Sequence, residues 1–206
     1  MLKQFPGWEW IPFFMVWLMK LLVGFGMSGE AAGIILVITL GSLLPLIIYA
    51  IAQVVCNSRE IAFGAALLGV VHPTLTEMST EILRDTPYLF FAGLAVLFLL
   101  NAVKYQKWWQ WFLGGVMVAI AIMIRYESAE LLVLALGYLL IAPFFKWTGY
   151  RSICISLTCF FLAFIMTILL LFQLAEISPG KYGDQYNTRI TNDYFEMFKR
   201  NLVDND

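Results

Sequence analysis

The sequence predicts an all-α protein, a polytopic transmembrane helical bundle of about six spans preceded by a short juxtamembrane N-terminal helix. Three observations lead there. Of the 206 residues 61% are apolar and 13% charged, about half the charged share of a soluble domain. The apolar residues fall in long runs, and about 20 helical residues cross the hydrocarbon of a bilayer. The basic residues between the runs gather in every second turn, as the preference of Lys and Arg for cytoplasmic loops requires.

The elements follow in order. Residues 11–25 are apolar but carry Lys20 at their middle, which suits a helix lying on the outer surface better than one crossing. Pro6, Gly7 and Glu9 precede it and no small-x-small cleavage site follows, so a signal peptide is the lesser alternative. Residues 31–55 are long enough to span. Residues 61–71 are short but must cross if the loop charges are to alternate. His72-Pro73 ends that helix and restarts another, because the residue before proline is pushed out of the helical region. Asp85-Thr86-Pro87 is a helix start, with Asp85 or Thr86 as N-cap and Pro87 in the first turn. Spans at 88–103, 108–124, 131–145 and 153–175 follow. The tail from 176 mixes Pro179, Gly180 and Gly183 with a short helix expected at 193–202. The chain thus divides into a transmembrane domain, residues 1–175, and a polar extracytoplasmic segment, 176–206. Trp8, Trp10, Trp17, Trp108, Trp109 and Trp111 read as interfacial belt residues.

One set of turns holds Arg59, Lys104, Lys107, Lys146 and Arg151 against the single acid Glu60, and is cytoplasmic by the positive-inside rule. The opposite side receives Glu77, Glu81, Arg84, Asp85, Arg125, Glu127, Glu130 and the tail. Thirteen Lys and Arg against fourteen Asp and Glu leave a net charge of −1, so no basic surface is present to hold nucleic acid by its phosphates. Cys56, Cys154 and Cys159 have no C-x-x-C or Cys/His spacing and suggest neither a zinc site nor a disulfide framework.

The stretch 71–91 sets several ionisable side chains between two apolar spans, and charges at membrane depth face water, a partner or a substrate. In a continuous helix Glu77, Glu81 and Asp85 would share one stripe. Like charges on one face need something positive among them: Arg84 is adjacent, Arg125 at the end of a later span is placed to converge, and a divalent metal ion is the alternative, since hard cations prefer oxygen ligands. Each residue also has a plainer reading. Asp85 suits an N-cap, His72 a hydrogen-bonded structural residue, Glu77 a solvated surface group, and Arg125 with Glu127 a local pair, although a guanidinium at that face is also what a phosphate requires.

Several segments resemble a known family: Pro12 with the aromatic and apolar helix that follows; Gly26-Met27-Ser28-Gly29-Glu30-Ala31-Ala32 opening a long span; and Ala65-Ala66-Leu67-Leu68 before His72-Pro73. Glu81-x-x-Arg84-Asp85-x-x-Tyr88-Leu89-Phe90-Phe91 and the span from Gly114-Gly115 to Arg125-Tyr126-Glu127 continue the pattern. Over residues 6–146 the chain resembles the polytopic lipid-linked-sugar glycosyltransferases of the GT-C type, more narrowly the dolichyl-phosphate-mannose protein mannosyltransferase and lipid A aminoarabinose transferase superfamily.

The resemblance implies an integral multi-pass protein of the cell envelope, expected in the bacterial inner membrane, with its site on the extracytoplasmic side. The implied donor is a polyprenyl-phosphate sugar and the acceptor a hydroxyl on a protein, lipid or glycan. It makes Asp85 and Glu81 candidate catalytic residues, and Arg84, Arg125, Glu77, Glu127 and His72 candidate substrate-binding residues. The family's principal carboxylate lies in a first outer loop, for which only Glu9 is available here, and its later spans have no counterpart before Asp206. A fragment that is inactive alone is therefore expected. A transporter, with the same charges as a coupling-ion or substrate site, would show inverted repeats and broken helices near the midplane, and neither is evident. A non-catalytic membrane assembly subunit is the other alternative.

Overall fold

The computed structural model describes residues 13–78, 80, 85–125, 128–142 and 150–175. Among these the chain forms eight α-helices: α1 (Phe13–Gly24), α2 (Gly29–Cys56), α3 (Arg59–Val71), α4 (Pro73–Met78), α5 (Asp85–Tyr105), α6 (Trp108–Ile124), α7 (Ala129–Ile141) and α8 (Tyr150–Ala175). The chain divides into two compact units, Met1–Ile168 and Leu169–Asp206. Only the last turns of α8 are described in the second.

Local chemistry sets the boundaries. Ser28 caps α2, its hydroxyl accepting the Ala31 N–H at 3.3 Å, with Glu30 in the first turn where the helix dipole favours an anion. Asn57 ends α2 in the left-handed region (φ 53°), and its N–H closes on the Gln53 carbonyl. Ser58 then caps α3 through the Ile61 N–H at 3.4 Å. The break foreseen at His72-Pro73 is present: His72 is extended (φ −70°, ψ 116°) and Pro73 opens α4, where its missing N–H has no consequence. A second two-residue turn, Gln106 (φ 52°) and Lys107, joins α5 to α6.

α2, α5 and residues 152–173 of α8 are long and apolar enough to cross a membrane. α6 and α7 are apolar but shorter, as are α1 and α3 at 12 and 13 residues, close to 20 Å of helix each at about 1.5 Å per residue. The lateral faces are apolar and open. Leu46, Phe63, Leu68, Val133 and Leu134 are each more than 60% exposed, the reverse of a soluble surface and the pattern that lipid contact requires.

Small residues set the packing, as is usual where no water drives helices together. Gly93 lets α5 approach Ile47 of α2, Gly114 admits Leu99 of α5, and Gly115 lies against the backbone carbonyl of Phe160 in α8. Around these contacts Ala95, Ala102, Trp111, Val118, Ala135, Leu139 and Phe160 form the core. Trp111 corrects the belt reading. It is 1% exposed, stacked on Tyr138 (centroids 5.9 Å) and edge-on to Phe160 (6.5 Å). The reason is helical phase: Trp111 lies on the inward stripe that continues to Gly115 and Val118. Trp108 and Trp109 are exposed, and Trp17 stacks on Phe14.

Two tertiary bonds mark opposite ends of the bundle. The Lys104 ammonium donates to the Val54 carbonyl at 2.7 Å, joining the C-terminal ends of α2 and α5. At the other end Arg125 and Asp85 join the residue that closes α6 to the first of α5.

Candidate functional site

The site is built from helix termini. Asp85 is the first residue of α5 and Arg125 follows the last residue of α6 as its C-cap, extended at φ −143°, ψ 125°, with its N–H bonded to the Ala121 carbonyl. An N-terminus favours an anion and a C-terminus a cation, so each charge sits where its own helix stabilises it. The two then pair: Arg125 Nη1 donates to Asp85 Oδ1 across 40 residues of sequence, and the side chains are 28% and 26% exposed.

Two neighbours hold this pair in place. Tyr88 lies one turn along α5 from Asp85, and the Arg125 guanidinium carbon stands 5.2 Å from its ring centroid, within reach of a cation–π attraction. Thr86 is buried and its hydroxyl donates to the Met78 carbonyl at 2.7 Å, tying the start of α5 to the end of α4. Asp85 and Thr86 thus both have partners outside their own helix. Neither Tyr88 nor Thr86 figures among the site residues expected from sequence, although the i, i+3 step from Asp85 to Tyr88 is the signal that would have found the first.

The remaining candidates are placed less centrally. His72 is exposed, and its carbonyl accepts from the N–H and the hydroxyl of Thr76, both at 3.1 Å. Glu77 is exposed, and its carbonyl receives the Thr80 N–H at 3.0 Å and hydroxyl at 2.8 Å. Those bonds close a turn. α4 therefore stops at Met78 and Thr80 is a turn, so Glu77 and Asp85 do not lie on one continuous helix as the shared stripe would need. Glu81, Arg84 and Glu127 lie outside the described residues, as do the expected helix at 193–202 and Lys146. Among the described residues no three of His, Cys, Asp and Glu gather as a metal site would need, and Cys56, Cys154 and Cys159 are free thiols. Ser128, which precedes α7, is 1% exposed with its N–H on the Arg125 carbonyl at 3.1 Å.

Residues 11–175 match the family described as dolichyl-phosphate-mannose-protein mannosyltransferase. The chain belongs to this family. It is accordingly a multi-pass membrane protein of a glycosyltransferase family, and the matched region contains all of the described helices together with the Asp85–Arg125 site. No curated protein and no solved structure matches the chain.

Proposed function

We propose that this member of the family transfers a sugar from a polyprenyl-phosphate donor to a hydroxyl of a protein, lipid or glycan acceptor, at the extracytoplasmic face of a bacterial inner membrane. Residues 1–175 form the transmembrane domain on this reading, and 176–206 a polar segment on the same face as Asp85. The observation that carries it is the Arg125–Asp85 pair at facing helix termini, in a chain of a lipid-linked-sugar transferase family.

In the transfer, the acceptor oxygen bonds to the anomeric carbon, the bond from that carbon to the phosphate oxygen breaks, and the phosphate leaves with the electron pair while a base takes the hydroxyl proton. Negative charge grows on the departing phosphate. Arg125, with Arg84, meets that charge. A guanidinium carries five N–H donors in a planar fork, so a carboxylate and a phosphate can share it. Asp85 and Glu81 orient the arginine, the acceptor hydroxyl or a divalent ion. Glu77, His72 and Glu127 complete the polar rim.

Sugar transfer in membranes carrying the full-length gene product with Arg125→Ala or Asp85→Asn tests the assignment. Loss of a preorganised charge partner for the leaving group lowers turnover by about 10²-fold or more, and that is the expectation for Arg125→Ala. A smaller fall is expected for Asp85→Asn, which keeps an acceptor for the guanidinium. Unchanged rates in both variants remove these roles.

A further inference from the structure

An arginine gives up much rotamer freedom when it is fixed, and a ligand binds more tightly where that freedom is already lost before it arrives. At Arg125 the backbone is fixed from both sides. Its N–H closes on the Ala121 carbonyl at 2.8 Å, and its own carbonyl receives the Ser128 N–H at 3.1 Å. The side chain is then met by two residues of one helical turn, Asp85 at the start of α5 and Tyr88 three positions on, and residues at that spacing lie on one face. Between them Thr86 and Pro87 are buried, and the Thr86 hydroxyl donates to the Met78 carbonyl at 2.7 Å. The turn that grips the arginine is therefore itself anchored.

The two grips differ in kind. The Asp85 carboxylate carries a full negative charge, so as it holds Arg125 it also offsets the pull of the guanidinium on an incoming anion. An aromatic ring attracts a cation through its quadrupole and carries no net charge, so it holds the arginine without cancelling that pull. The guanidinium carbon stands 5.2 Å from the Tyr88 ring centroid, inside the roughly 6 Å reach of the attraction. The next aromatics of α5 are used otherwise. Phe90 and Phe91 are edge-on to each other, and Phe91 is edge-on to Phe14 of α1, with centroids 5.3 Å apart in both pairs. Those rings serve the packing between helices, whereas the Tyr88 ring meets a charge.

Resting on the phosphate-binding role given above to Arg125, we propose that Tyr88 is a positioning residue of the site: its ring fixes the direction of the Arg125 guanidinium for the phosphate of a lipid-linked substrate. Tyr88 acts through the arginine and not on the substrate.

The test is binding of farnesyl phosphate by the full-length gene product in lipid nanodiscs, with farnesol as the neutral control. Tyr88→Leu should weaken farnesyl phosphate binding about two- to fivefold, the effect of one cation–π contact at a partly exposed site on a dissociation constant, and leave farnesol binding as it was. Tyr88→Phe keeps the ring and should restore the affinity. One, two and three fluorines on that phenylalanine drain the ring's quadrupole at nearly constant shape, so the dissociation constant should rise stepwise toward that of Tyr88→Leu. The fluorinated series keeps the test valid if Tyr88→Leu fails to fold. Added to Arg125→Ala, the same fluorines should change nothing, whereas a ring that served packing alone would move the melting temperature without this dependence. Three results would overturn the proposal. If Arg125→Ala weakens farnesyl phosphate binding while the fluorinated series is flat, Tyr88 positions nothing and the role of Arg125 stands. If the fluorines act equally with Arg125→Ala, or Tyr88→Phe loses as much as Tyr88→Leu, the ring does not work through the arginine. If farnesyl phosphate binds no better than farnesol, or equally well to Arg125→Ala, the phosphate role itself is removed and the positioning with it.

Discussion

Replacing Asp85 by asparagine and Arg125 by methionine, singly and together, isolates the contact on which the site depends. Two opposite charges about 4 Å apart attract by roughly 4 kcal/mol at the effective dielectric of a protein surface. Each side chain here still exposes about a quarter of its surface, 26% for Asp85 and 28% for Arg125, and solvent screening brings the net contribution down to about 1–3 kcal/mol. The two truncations should not cost the same. The amide introduced by Asp85→Asn would retain an oxygen for the guanidinium, which places that variant near 1 kcal/mol by the worth of an ordinary hydrogen bond, about 1 kcal/mol. Arg125→Met leaves Asp85 without its partner and also removes the contact with the Tyr88 ring, which adds about 0.5–1 kcal/mol. At roughly 2–4 °C per kcal/mol for a chain of this size, the expected drops are about 2–4 °C and about 3–16 °C. The double variant should fall short of their sum by about 1 kcal/mol. Tyr88→Leu should cost about 0.5–1 kcal/mol by itself and nothing further when added to Arg125→Met. Thermal unfolding in nanodiscs, followed by tryptophan fluorescence, reads all of these. Strict additivity, or a larger drop for Asp85→Asn than for Arg125→Met, would refute the reasoning.

Packing and sidedness give two more tests. A methyl group at Gly115 would stand 2.5 Å from the Phe160 carbonyl oxygen and 3.3 Å from Ala163 Cβ, whereas at Gly114 it would meet the flexible end of Leu99 at 3.0 Å. Overpacking against backbone costs about 1–3 kcal/mol, so Gly115→Ala should melt several degrees below Gly114→Ala, and the opposite order would show that α6 and α8 do not pack this way. In a background lacking Cys56, Cys154 and Cys159, Thr80→Cys should react with a membrane-impermeant maleimide added outside the cell; labelling only from the cytosol would reverse the assignment of faces.

The helices were legible because their signals are local. The apolar runs at 31–55, 88–103, 108–124, 131–145 and 153–175 correspond to α2, α5, α6, α7 and α8 within a few residues at most ends, and His72-Pro73 marks a real break because proline acts on its own neighbours. What escaped the sequence was decided by tertiary phase and by distance along the chain. Trp111 has the composition of a belt residue, yet the Gly114-Gly115 face on which it lies is drawn into the core. The arginine able to meet Asp85 could be named, but the coincidence of the two helix ends depends on how α5 and α6 pack through Leu99 and Gly114. Thr86 reads as a cap and instead reaches across to Met78, because its side chain points to a neighbouring element that local pattern does not encode.

Two connections at the Lys104 end are short and sharply folded, with Asn57 and Gln106 each taking the single left-handed step of a two-residue link. Little can be added there without unwinding the helices they join, because a longer link would have to abandon that reversal or pull Lys104 off Val54. At the opposite end the link from Phe25 to Ser28 is longer. Insertions and epitope tags therefore have less room at these two links than in the four-residue segment from Phe25 to Ser28 at the end that carries Asp85 and Arg125, so a probe placed to leave the α2–α3 and α5–α6 reversals intact belongs on that rim.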